Sequence, residues 1–103
     1  MQQPEQDNRT GPMILRRGES LGFDHNRMVM LFSMMDGDRE ISCAVSSSAM
    51  DDLESIKAKP DQRDAQFLRL RDRIEQCASR KFEAREFEGT PPGIILRSLD
   101  FRN

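Results

Sequence analysis

Met28-Val29-Met30-Leu31-Phe32-Ser33-Met34-Met35-Asp36-Gly37-Asp38-Arg39-Glu40-Ile41-Ser42-Cys43-Ala44-Val45 is the stretch on which the reading of the fold turns. Residues 28–35 are apolar except for Ser33, Asp36-Gly37 follows, and Ile41, Cys43 and Val45 then alternate with Glu40, Ser42 and Ala44. Alternation with period two marks a strand with one buried face. Asp-Gly between two such runs favours a type I′ hairpin, because glycine accepts positive φ and aspartate tolerates it. A two-residue loop at Asp36-Gly37 pairs Met28 with Val45, Met30 with Cys43 and Phe32 with Ile41, and places all six on one face.

Outward from the hairpin, Ser46-Ser47-Ser48 precedes Ala49, Leu53 and Ile56 at helical spacing. Ser48 as cap, with Asp51 three residues on, predicts a short helix over about 48–57, ended by Lys57 to Pro60. A long helix is predicted from about Asp61 to Phe82. At 100° per residue, Phe67, Leu70, Ile74, Ala78 and Phe82 form one apolar arc flanked by Leu68 and Cys77, which is expected to cover the hairpin. Pro91-Pro92-Gly93 breaks the chain, and Ile94 to Phe101 reads as a closing strand with Ile95, Leu99 and Phe101 on one side. On the other flank, Pro12 to Leu15 reads as a short edge strand before Gly18. Residues 1–11 are polar after Met1 and read as a disordered tail, leaving a single domain over 12–103.

A chain of 103 residues with 16 basic and 18 acidic side chains, and with phenylalanine as its only aromatic residue, fits one small domain. The long-helix segment 61–88 carries seven acids and seven bases, so charge is balanced even where it is dense. Balanced charge argues against a basic nucleic-acid arm or a polybasic membrane patch. No apolar run reaches the ~18 residues of a membrane span, and no signal-peptide pattern opens the chain, so the expected location is the cytoplasm. Cys43 and Cys77 lie far apart with no CxxC spacing, so they read as reduced, buried thiols rather than a zinc or redox motif.

Candidate chemistry is sparse. Gly18-Glu19-Ser20-Leu21-Gly22 fits the GxSxG pattern of a nucleophile elbow, but no helix follows it, and it reads as a glycine-bounded turn. His25, the sole histidine, is flanked by Asp24 and Asn26 and reads as a turn residue. Without a complete catalytic set, the expectation is a non-enzymatic protein with no catalytic, cofactor or metal residues. The polar face of the long helix aligns Gln62, Arg69, Arg73, Gln76 and Arg80, the best nucleic-acid candidate, beside the acidic flank Asp64, Asp72 and Glu75. Arg71 projects at the edge of the apolar arc, where it should meet a carboxylate such as Glu75, lay its stem over apolar surface, or contact a partner. Val29 and Leu31 lie on the hairpin face away from the helices, where two sheets would meet back to back in a homodimer. Arg69, Arg71, Arg73, Arg80, Val29 and Leu31 are therefore the candidate partner contacts.

Phe23-Asp24 before a strand, Glu40-Ile41-Ser42-Cys43-Ala44-Val45, Ala49-Met50-Asp51-Asp52-Leu53, and Phe67, Arg71, Ile74 and Ala78 on a long helix together resemble the small bacterial domain-of-unknown-function family 1488. The likeness runs over about residues 23–101. It implies a compact α+β bacterial protein and carries over no catalytic or binding residue. The expected fold is an antiparallel sheet of three or four strands, from the hairpin and the closing strand, with both helices on one face. The expected function is a small cytoplasmic interaction or regulatory module that self-associates or binds a protein, with nucleic-acid binding as the alternative.

Overall fold

A computed structural model describes residues 15–102. Strands β1 (Arg16–Asp24), β2 (Val29–Asp36) and β3 (Arg39–Ser46) lead into helix α1 (Ser47–Glu54), a 3₁₀ turn at Pro60–Gln62, and helix α2 (Arg63–Glu83). Strand β4 (Ile94–Leu96) and a second 3₁₀ turn, Ser98–Phe101, close the chain. The strands form one sheet in the order β1-β2-β3-β4.

The hairpin exists with the expected inward face, but its register is offset by two residues. Met30 pairs with Val45, Phe32 with Cys43 and Met34 with Ile41, and the loop residues are Gly37 and Asp38 between the pair Asp36 and Arg39. Gly37 stands at φ +63 in the first central position, and Arg39 Nη2 donates to Asp36 Oδ2 at 2.9 Å across the turn. A shift of two keeps every side chain on its face, so Met30, Phe32, Met34, Ile41, Cys43 and Val45 all enter the core. Met28 does not: it lies in the preceding turn at φ 58 and is 47% exposed.

Of the predicted strand at Pro12 to Leu15, only Leu15 is among the described residues; it is buried and precedes β1. Residues 1–11, read as a tail, lie outside the described residues. The Gly18–Gly22 segment is no turn. It lies within β1, paired antiparallel with β2, with register irregularities between Arg17 and Ser20 and between Ser20 and Gly22. Gly18 is required there because a Cβ would lie 2.4 Å from Ser33 Oγ, and that hydroxyl accepts from the Glu19 amide.

The closing strand is shorter than expected, and it runs parallel to β3, with Cys43 beside Ile94 and Val45 beside Leu96. Both helices lie between β3 and β4, and such a crossover is what returns a chain parallel to the strand it left. Asp100 ends the extended segment by accepting from the Arg97 amide at 2.8 Å, which folds Ser98–Phe101 into its 3₁₀ turn. Phe101 packs against the core, whereas Leu99 turns out to solvent, 72% exposed.

Helix α1 begins earlier than expected because Ser46, not Ser48, is its cap, accepting from the Ala49 amide at 3.1 Å. It ends at Glu54 because Ser55 adopts the left-handed conformation, so Pro60 is not what stops it. On α2, Phe67, Leu70, Ile74, Cys77 and Ala78 are buried as the periodicity requires, but Leu68 is exposed. Helix α2 packs on β1, β2 and β4, and α1 packs on β3 and α2. Phe67 meets Phe32 with ring centroids 5.3 Å apart, joining helix to hairpin.

Both rings are fully buried. Truncation of Phe67 to alanine is therefore expected to lower the unfolding free energy by about 3–5 kcal/mol in urea titration. A loss below about 1 kcal/mol would place the helix elsewhere.

Candidate interaction surfaces

Helix α2 is fastened to the rest of the molecule by three arginine-centred clusters. In the first, Glu75, only 4% exposed, accepts from Arg17 Nε on both carboxylate oxygens at 3.0 and 2.9 Å, and from Arg71 Nε at 2.9 Å. Arg71 Nη2 also donates to the Gly18 carbonyl, and its guanidinium lies 5.4 Å from the Phe67 ring centroid. Arg71 thus finds the carboxylate expected of it, one turn along, and its binding groups are directed inward. Glu75, placed on the solvated flank by helical spacing, is instead buried against β1.

In the second cluster, Arg63 Nη1 donates to Asp51 Oδ1 at 2.6 Å and to Gln66 Oε1 at 2.8 Å, and Gln66 Nε2 donates to Asp51 Oδ1 at 2.9 Å. The Arg63 guanidinium stacks over the Phe23 ring at 5.5 Å. Arg63 and Gln66 are buried and were not singled out from the sequence. Their signal is present there: Arg63 stands four residues before Phe67, so it prolongs the apolar arc by one turn. In the third, Arg69 grips Glu54 with Nε and Nη2 at 2.8 and 2.9 Å. Gln62, Arg73, Gln76 and Arg80 are exposed as the stripe requires, but Arg69 is already neutralised within the chain.

The remaining sequence candidates are not gathered. Ser20 is an exposed strand residue and His25 an exposed turn residue, its ring 5.0 Å from Phe23 and edge-on to it. Both thiols are free and buried. Burial pushes the Cys43 thiol up to about 12 and also raises Cys77, which is the setting of an inert thiol. Among the described residues, no group of three or more His, Cys, Asp or Glu is placed to hold a metal ion, and no helix is long and apolar enough to cross a membrane.

With both helices on the face of Phe32, the back of the sheet carries Val29, Leu31, Ala44 and Ile95. Val29 is 7% exposed and Leu31 and Ile95 are half-buried, so this face is partly covered rather than open as the sequence led one to expect. Arg27 and the loop 88–93 line a hollow beside Leu31 and Ala44, and Gly93, next to β4, approaches β3 so closely that a Cβ would lie 2.5 Å from the Ser42 carbonyl oxygen. Two open concavities result, sharing Arg27 and Ile95. One, of about 250 Å³, runs from Leu31 and Ala44 to Thr90 and Pro91. The other, of about 670 Å³, runs from Val29 and Ser46 to Leu99 and Arg102.

An α+β domain with two helices on one side of a four-stranded sheet is the class of protein this geometry defines. The chain belongs to the family described as protein of unknown function (DUF1488), whose model matches residues 18–95. A crystal structure of a protein of unknown function from that family, from Shewanella loihica PV-4, has the same fold, with a TM-score of 0.72 and 19% sequence identity over 82% of this chain and 94% of that one. No curated protein matches.

The clamp between the helices has a pH signature. Burial raises the Asp51 carboxyl, but hydrogen bonds from Arg63, Gln66 and the Ala58 amide outweigh it and hold it below the usual 3.8. The Arg69 hydrogen bonds likewise hold Glu54 below 4.5. Carboxyls depressed in the folded state stabilise it above their unfolded values, and that stability disappears as pH falls through the folded ones. Urea unfolding should therefore show stability falling as pH drops below about 4, with a shallower acid slope in Asp51→Asn. An unchanged slope would remove Asp51 from the clamp.

Proposed function

We propose that the protein is a non-enzymatic interaction module of the bacterial cytoplasm that binds an acidic segment of another protein on the back of its sheet. One observation carries the reading. The helices occupy one face only, and the other presents Leu31, Ile95 and the exposed Leu99 beside Arg27, Arg97 and Arg102. Apolar residues edged by arginine are the composition of a docking surface. The free thiols suit a reducing compartment.

Self-association is the less suited form of this reading. A two-fold interface sets the same patch against itself, and here that opposes arginines to arginines. Nucleic-acid binding retains Arg73 and Arg80, but Arg69 is held by Glu54, and Asp72 lies in the same helix surface.

Site-specific photo-crosslinking in cells separates these readings. A photoreactive residue at Leu31 or Leu99 should yield discrete protein adducts, and one at Gln76 on the helix stripe should not. Nuclease-sensitive adducts from Gln76 alone, or none from the sheet positions, would overturn the docking reading.

A further inference from the structure

The larger concavity on the back of the sheet is basic as well as apolar. Arg27 comes from the turn after β1, Ser46 and Ser48 from the β3–α1 junction, and Arg97, Ser98 and Arg102 from the chain after β4. Among the described residues, no acidic side chain lines it. Three arginines and three serines from separate parts of the chain thus line one hollow, in a protein whose net charge is −2.

Their commitments differ. Arg97 is anchored by Glu88 through two hydrogen bonds of 2.8 and 3.0 Å, and Ser46 Oγ caps α1. The side chains of Arg27, Arg102, Ser48 and Ser98 have no hydrogen-bond or ion-pair partner among the described residues. Two free planar donor forks and two free hydroxyls around one hollow suit an anion with several strongly accepting oxygens more than a single carboxylate. A phosphate group offers three such oxygens and close to two negative charges at neutral pH. Ser48, in the first turn of α1, adds the positive end of that helix to the same side.

We propose that this groove binds a phosphate group, held by Arg27 and Arg102 and contacted by Ser48 and Ser98, with Arg97, itself anchored by Glu88, in its wall. The site is open, so binding is moderate and weakens with salt. It does not depend on the docking reading, because phosphate binding is read on the isolated protein.

The test is a titration followed in ¹H–¹⁵N spectra at constant ionic strength, with inorganic phosphate, O-phosphoserine and N-acetyl-aspartate as separate probes. Saturable shifts are expected at the amides of Arg27, Ser48, Ser98 and Arg102, stronger with either phosphate than with the carboxylate. Tighter binding of phosphoserine assigns the group to an ester or a modified side chain; equal binding assigns it to free phosphate. The double variant Arg27→Gln/Arg102→Gln should weaken binding by about tenfold or more, and Arg73→Gln/Arg80→Gln should leave it unchanged. Ser98→Ala supplies a milder second variant whose loss must be smaller. Absence of saturation in the wild type, equal response to the carboxylate, or equal loss in the two arginine pairs would overturn the proposal.

Discussion

Everything in this fold depends on the two-fold alternation of the β2–β3 hairpin. With Met34 opposite Ile41 and Met30 opposite Val45, six apolar side chains share one face, and that face is where α1 and α2 can bury their own apolar arcs. A register slip of one residue would turn this set to the solvent side and leave Phe67 without Phe32. The tight turn at Gly37, which admits positive φ, and the Asp36–Arg39 pair beside it hold the register against that slip.

Once the face is chosen, the charged residues act as fasteners. One third of the chain is charged, yet many of these groups join separate elements, Arg17 to Glu75, Arg63 to Asp51, Arg69 to Glu54 and Lys81 to Asp100, while Arg71 meets Glu75 within α2 and Arg97 meets Glu88 across the turn before β4. Exposed pairs of this kind add little each, whereas Glu75 and Arg63 are buried and fix geometry. Lys81 also donates to the Ile95 carbonyl, which occupies a backbone acceptor at the outer edge of β4.

The hairpin, both helices and the packing of α2 were legible from the sequence because each rests on local periodicity. The offset of the hairpin loop was not, since Asp36-Gly37 and Gly37-Asp38 give the same faces and the turn chemistry admits both. Strand β1 was hidden by Gly18 and Gly22, which read as turn punctuation but serve close approach to Ser33 and an irregular edge. The parallel sense of β4 is a property of the crossover and leaves no trace in residues 94–96. Of the candidate contacts, Arg71 was placed correctly beside Glu75, whereas Arg69 proved committed to Glu54, a partner on another helix that spacing along α2 cannot reveal. Arg27 and Arg102 were overlooked because neither lies on a periodic element.

The sheet is asymmetric: one face is core, and the other is surface carrying apolar residues edged by arginine. Neighbouring residues Leu31 and Phe32 lie on opposite sides of that division, so unfolding free energies of Leu31→Gln and Phe32→Gln test it directly. A loss within about 1.5 kcal/mol is expected for Leu31→Gln and above about 4 kcal/mol, or failure to fold, for Phe32→Gln. Equal losses would contradict it, since the sheet would then bury both faces and no surface for a partner would remain.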